Sequence, residues 1–303
     1  MQPLAPDGVL IVNKHAGVTS HDIVSKVRRL FGTRAVGHAG TLDPMATGVL
    51  VVLLGRAAKA NEYLTGADKR YAARLRLGVT TDTQDMTGTV LSECDALPSP
   101  DTVISAVKRF QGEIMQLPPM YSALKVDGQK LVDLARKGVT VERTPRPVTI
   151  YAITCQPTPH PSDYLLDVTC SGGTYIRTLC ADIGEALDCG GAMAALERLS
   201  ACGFTLEQSV TVDELEALSM EERLKLLIPT ERLFADLPSL TLSAFYDRLI
   251  VNGCAVALKK LRLELPVGAR VRLCHPTGDF FALGEVVSTD QGPALKSIKV
   301  FVL

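Results

Sequence analysis

Arg34-Ala35-Val36-Gly37-His38-Ala39-Gly40-Thr41-Leu42-Asp43-Pro44-Met45-Ala46-Thr47-Gly48 runs directly into Val49-Leu50-Val51-Val52-Leu53-Leu54 and then Gly55. Six consecutive aliphatic residues between two glycines predict a short buried strand. Before it, Gly37, Gly40, Gly48 and Pro44 punctuate a dozen residues too densely for regular structure. Asp43 is therefore expected on a tightly shaped loop beside a core strand. Pro44 fixes its own φ and pushes Asp43 toward an extended backbone, which holds the carboxylate still. A lone Asp-Pro step is an ordinary turn cap, so the meaning of Asp43 depends on the residues around it.

Upstream, Gly8-Val9-Leu10-Ile11-Val12 reads as a strand leading into Asn13-Lys14-His15-Ala16-Gly17. Thr19 or Ser20 then caps a helix whose apolar positions Ile23, Val24, Val27, Leu30 and Phe31 recur at helical spacing, and Gly32 ends it. Downstream, residues 56–63 predict a short helix. The segment from Lys69 to Gly78 alternates, with Tyr71, Ala73, Leu75 and Leu77 on one face and Arg74 and Arg76 on the other. By that pattern Tyr71 is a core aromatic. Thr80-Thr81-Asp82-Thr83-Gln84-Asp85 reads as a loop whose acids are structural. Residues 101–112 form an amphipathic helix through Val103, Ile104, Val107 and Phe110, and residues 131–138 form another after a Pro- and Gly-marked stretch. Alternating strands follow at 148–155 and 164–170. Thr174 is the expected N-cap of a helix buried through Ile176, Leu179, Cys180, Ile183 and Leu187. Arg177 then stands in the first turn, where the helix dipole disfavours a cation, so an anionic partner is expected.

The formal net charge of -1 conceals an uneven distribution. Residues 1–150 hold 19 Lys/Arg against 14 Asp/Glu, residues 151–250 hold 6 against 15, and residues 251–303 hold 7 against 4. Two basic ends flank an acidic middle, a pattern that permits an RNA-binding face whose affinity comes largely from phosphate contacts. A solvated acidic face explains the middle equally well. The eight cysteines form no Cys-x-x-Cys pair, and read as reduced residues of a cytoplasmic protein. No signal peptide, membrane span, metal site or cofactor motif is expected. The glycine-rich loop lacks Gly-Lys-Ser/Thr and the dinucleotide-fold glycine spacing, which disfavours a nucleotide-phosphate cradle.

Gly-His-Ala-Gly-Thr-Leu-Asp-Pro-Met-Ala-Thr-Gly-Val-Leu, residues 37–50, resembles the catalytic motif of the TruB family, bacterial tRNA pseudouridine synthases that act on the T-loop uridine. The resemblance implies that Asp43 is the essential catalytic residue and that His38 wedges into the RNA loop. It places Tyr71, within Lys-x-Tyr, against the target uracil. Gly-Thr-Tyr-Ile-Arg at 173–177 matches a second family motif, which implies that Arg177 pairs with Asp43 and keeps it ionised while Tyr175 lines the pocket. Leu196 matches an apolar pocket residue. Lys14, Lys59, Lys125 and Tyr121 fall on positions expected to contact RNA. Three departures stand out: His15 occupies a usual proline position, Val132 a usual tyrosine, and Met193 a frequent histidine.

The fold expected from the resemblance is α+β. It comprises a mixed, mainly antiparallel central sheet with flanking helices and a thumb-like insertion at about 113–146, within a catalytic domain at 1–238. A small β domain at 239–303 resembles a PUA-like RNA-binding appendage. The expected partner is the T-arm of tRNA, bound by a monomer, with no metal and no membrane. The expected reaction is redox-neutral isomerisation of a flipped-out uridine to pseudouridine at position 55 of tRNA. The rival reading is a tRNA-binding folding factor in which modification is secondary. A guide-RNA-dependent synthase is disfavoured by the thumb-like insertion and the lack of a basic tail.

Overall fold

The structure is a computed structural model that describes residues 6–64, 66–122, 124–126 and 128–302. Its larger sheet places seven strands side by side: Gly8–Lys14, Thr47–Leu54, Gly191–Ala201, Lys69–Leu77, Asp163–Cys170, Arg146–Pro157 and Gly112–Gln116. Val36–Ala39 and Phe204–Thr205 pair off this path. Neighbours are antiparallel except at one seam, where Glu197 and Arg198 run parallel to Thr47 and Gly48. That seam places the strand after the Asp43 loop beside the strand that carries Leu196.

Local chemistry explains the elements. In Lys69–Leu77 the positions 69, 71, 73, 75 and 77 are buried, as period-two alternation requires. Outward-facing Arg70 and Arg76 pair with Asp167 and Asp163 on the neighbouring strand, each at 2.7 Å. Helix Ser20–Phe31 begins with a capping box, Thr19 and Asp22 each bonding the other's backbone N–H. Its Ile23, Val24, Val27 and Phe31 pack on Leu10, Val12, Leu50, Val52 and Leu54 from the first two sheet strands. Val49–Leu54 is wholly buried because both faces of its strand are covered.

Several expectations require correction. Val36–Ala39 is a strand despite Gly37, because its backbone pairs with residues 51–54. Residues 55–64 divide into a 3₁₀ turn, Gly55–Ala60, and one helical turn, Asn61–Leu64. The helix expected at 101–112 is Pro100–Lys108, capped by Ser99, and Gly112 already belongs to the sheet. The helix after the hairpin ends at Ala135, and Gly138 closes the following turn. Gly112–Gln116 pairs with residues 146–150 in the main sheet, so both ends of the insertion expected at about 113–146 belong to that sheet. Helix Ile176–Ala186 takes Tyr175, not Thr174, as its N-cap; the Thr174 hydroxyl donates instead to the Ser171 carbonyl.

A second sheet orders Ser239–Thr241, Arg270–Cys274, Phe280–Thr289, Gly292–Val300 and Val256–Ala257. Its last long strand runs from Gly292 to Val300, and Leu303 lies outside the described residues. Phe234, Phe280 and Phe301 stack at centroid distances of 5.5–6.1 Å between the two sheets, and Tyr63 meets Phe234 edge-on at 6.5 Å. One apolar core therefore runs from Val49, Val51 and Leu53 through Phe234 into Phe280 and Phe301.

Candidate active site

Asp43 is 34% exposed and stands on a loop secured from three directions. The Ser20 hydroxyl accepts from Leu42 N at 2.9 Å and donates to the Leu42 carbonyl at 3.1 Å. Gly17 N donates to the Pro44 carbonyl at 2.8 Å. Lys14 is fully buried, and its ammonium donates to the carbonyls of His15, Val18 and Pro44 at 3.0, 2.8 and 3.2 Å. Burial pulls the Lys14 pKa down to about 8, and the Asp43 carboxylate opposes that shift. Lys14 thus ties the Asn13–Gly17 turn to the residue after Asp43, a role that requires no RNA.

Arg177 meets Asp43 at two points, Nε to Oδ2 at 3.0 Å and Nη2 to Oδ1 at 3.3 Å. Its Nη2 also donates to the Tyr121 carbonyl at 2.7 Å and its Nη1 to the Thr83 carbonyl at 3.1 Å. Asp85 Oδ2 lies 3.6 Å from Nη1. The guanidinium is anchored by two carboxylates and two carbonyls and is only 7% exposed, so its fork holds the carboxylate in one plane. The pairing expected for Arg177 is present, and Arg177 acts on Asp43 in the expected direction, but burial acts against it. Burial raises the Asp43 pKa above the usual carboxylate value, Arg177 opposes this, and Asp85 reinforces it. Desolvation is the largest influence, and with Asp85 it outweighs the two cations, Arg177 and Lys14, that favour the charged form.

Tyr71 is 6% exposed and packs in one apolar cluster with Leu42, Ala46 and Leu196, below the Asp43 loop. Burial pushes its phenol upward, and Arg198 opposes the shift. The Tyr175 backbone is bracketed by Gln116, whose Oε1 accepts from Tyr175 N at 2.8 Å while its Nε2 donates to the Tyr175 carbonyl at 3.0 Å. That amide takes the place of the missing side-chain cap at the start of the Arg177 helix. Met193 is fully buried, so its thioether fills core space where a histidine was expected.

The other expected contacts are more dispersed. His38 stands on the short strand opposite Val52, with Nε2 3.2 Å from the Thr41 hydroxyl, and burial lowers its pKa. Tyr121 is half-buried and reaches the site through its carbonyl. Lys125 lies in a two-residue strand paired with Gln129–Lys130; its side chain lies outside the described part of the molecule. Lys59 is exposed and donates to the Val300 carbonyl at 3.2 Å, so it borders the second sheet rather than joining the Asp43 cluster. Among the described residues, no group of three His, Cys, Asp or Glu side chains is disposed to hold a metal ion, and no helix is long and apolar enough to cross a membrane.

Sequence reasoning underrated Asp85 and passed over Gln116 and Arg198. Asp85 is 4% exposed and also accepts from Thr87 N and the Thr83 and Thr87 hydroxyls, so it shapes its own loop while facing Arg177. A signal for Arg198 did exist: alternation puts it on the same face as Leu196, a cation at an apolar period.

A sequence profile of the TruB family pseudouridylate synthase N-terminal domain matches residues 28–176, and one of the tRNA pseudouridylate synthase B C-terminal domain matches residues 177–235. The chain is 40% identical over 299 residues to tRNA pseudouridine synthase B of Alkaliphilus oremlandii, covering 98% of each chain. It is 45% identical to the Clostridium kluyveri protein of the same name, covering 82% of this chain and 85% of that one. Among solved structures, a chain in a Cbf5–Nop10–Gar1 complex superposes with a TM-score of 0.73 at 27% identity, over 98% of this chain and 86% of that one.

Proposed function

Since the chain belongs to the TruB family of pseudouridylate synthases, we propose that it converts uridine to pseudouridine in tRNA, with Asp43 as the catalytic group and the T-loop uridine as target. The single observation that carries the assignment of the site is the two-point Arg177–Asp43 pair beside the apolar cluster that holds Tyr71. Isomerisation breaks the N1–C1′ bond, turns the uracil, and joins C5 to C1′. The C5 proton is lost and N1 gains one, so no electrons enter or leave. Glycoside hydrolysis ordinarily employs two carboxylates, one of them a proton donor, and delivers the sugar to water. Here the uracil must be retained and water excluded, so one oriented carboxylate over an apolar floor suits the reaction.

Arg177 holds the Asp43 carboxylate in place, and its anchors on Thr83, Asp85 and Tyr121 keep it from swinging toward phosphate. The target base leaves its stack to reach Asp43, at a cost of a few kcal/mol. Tyr71 and Leu196 form the surface that receives it, and His38 lies on the neighbouring strand to occupy the vacated space. The T-arm is gripped between residues 117–145 and the basic ends of the chain, and one copy of the protein suffices. The intact Asp43–Arg177 pair favours catalysis over a pure folding role, since a folding factor has no use for a buried arginine spent on orienting a half-exposed carboxylate.

The test is tritium release from tRNA transcribed with C5-tritiated uridine, comparing the unaltered protein with Asp43→Asn. Release by the unaltered protein alone, mapped to the T-loop, is the expected result. Tight tRNA binding with no release by the unaltered protein overturns the assignment in favour of a folding factor.

A further inference from the structure

Arg198 is the bulkiest side chain wholly removed from solvent, at 0% exposure. Its Nε donates to the Val49 carbonyl at 2.7 Å and its Nη2 to the Gly40 carbonyl at 2.9 Å. These two acceptors are main-chain oxygens, the Tyr71 phenol also interacts with the guanidinium, and no carboxylate pairs with it among the described residues. A buried cation compensated only by neutral acceptors costs free energy that an apolar side chain would avoid. Ordinary core packing therefore does not explain an arginine here.

Its location does. Gly40 and Val49 are the two ends of the segment that carries Asp43, and one guanidinium bonds both. On one side the Arg198 backbone runs opposite Gly48, at the parallel seam. On the other it lies directly across from Tyr71 in the antiparallel pair. The fit is close: a Cβ on Gly48 would meet the Arg198 carbonyl oxygen at 2.3 Å, and one on Gly40 would meet Arg198 Nη1 at 3.3 Å. Gly40 and Gly48 hold φ of 78° and 99°, a region that also favours glycine. The loop is thus drawn down onto Arg198 at both ends, and Tyr71 stands on the same residue's far side.

We propose that Arg198 is a positioning residue, a clasp across the base of the Asp43 loop that sets the spacing between Asp43 and Tyr71. The proposal rests on the reading of Asp43 as the catalytic group. A planar fork suits the task because two carbonyls at different heights are met by two fixed N–H directions. Lysine offers a point charge on a mobile stem, and methionine offers volume alone. Loss of the clasp leaves Lys14, Ser20 and Gly17 holding the middle of the loop, so the variant folds with a loosened active site. Small misplacements of a reacting group are expensive in rate.

The experiment compares Arg198→Lys and Arg198→Met with the unaltered protein in single-turnover tritium release, tRNA binding and thermal melting. Release is expected to slow about 10- to 100-fold in Arg198→Lys and further in Arg198→Met, with tRNA affinity within about threefold of the unaltered protein. A rate in Arg198→Lys within about twofold of the unaltered protein overturns the proposal. So does a parallel loss of rate, binding and melting temperature, or failure of both variants to fold, since either marks a residue that only supports the core. Absence of release by the unaltered protein overturns the functional assignment and this proposal with it, and is distinguished from failure of the clasp alone by that control.

Discussion

Asp43 carries two opposing pressures, burial that favours its neutral form and Arg177 that favours its charge. Asp43→Asn removes the carboxylate while keeping the shape, and Arg177 retains Asp85 and two carbonyls. We expect tritium release to disappear while tRNA affinity changes by less than about threefold and Tm stays within about 3 °C, as a single-site effect near 1 kcal/mol would allow. Equal loss of binding and turnover would mark Asp43 as structural. The raised pKa has a signed consequence. A carboxyl whose folded pKa lies above its unfolded value contributes stability below the unfolded pKa and loses it as pH rises through the folded one. The acid limb of the single-turnover rate should therefore lie above the ordinary aspartate value. Asp85→Asn removes the like charge that reinforces the shift, so the limb should move to lower pH, as a rate–pH profile of both proteins would show. An unmoved limb would deny that Asp85 acts on Asp43 electrostatically. At this scale sequence showed the residue types and missed their balance. The pairing of Arg177 with an acid was legible from its place in a helix first turn, and with Asp43 in particular from the family resemblance, whereas alternation alone made Tyr71 a core residue. The direction of the Asp43 shift was not legible, because it depends on how deeply the loop is buried and on Asp85 approaching from a loop some forty residues away.

Among the elements, the Arg177 helix shows most clearly what pattern alone leaves out. Its buried stripe follows from 3.6-residue periodicity, yet its N-cap lies one residue later than Thr174 because Gln116 reaches in from a strand distant in sequence. Gln116→Ala deletes two hydrogen bonds and leaves buried main-chain groups unpaired, a loss of about 2–3 kcal/mol. Chemical denaturation should detect it, and slower turnover should accompany it as the helix start that presents Arg177 frays. A midpoint equal to that of the unaltered protein would mean water replaces the amide. The parallel seam offers a second check. Gly48→Ala sets a Cβ 2.3 Å from the Arg198 carbonyl oxygen at a φ of 99°, so the strands must separate. We expect destabilisation of at least about 2 kcal/mol, read by melting, and a rate loss beyond it. Strand faces were legible from alternation in Lys69–Leu77 and from the aliphatic run at 49–54. The pairing of Gly112–Gln116 was not, since edge strands half in solvent carry weak patterns.

Across the whole molecule, a separate small β region after about residue 239 was expected from the sequence, and a second sheet is found there. How the two sheets meet was not legible, because the joint is made by aromatic residues far apart along the chain. Phe234 lies between Tyr63 on one side and Phe280 and Phe301 on the other. The ion pair of Lys299 with Glu62 and the bond from Lys59 to Val300 close the margin of the same contact. Phe234→Ala should cost about 3–5 kcal/mol and split a single melting transition into two, which calorimetry would resolve. One undivided transition at the original temperature would show that the two parts do not depend on each other there. The aromatic joint is a weld: Phe280 and Phe301 share one core with Val49, Val51 and Leu53, so a substitution in the second sheet is felt in the strand that follows the Asp43 loop.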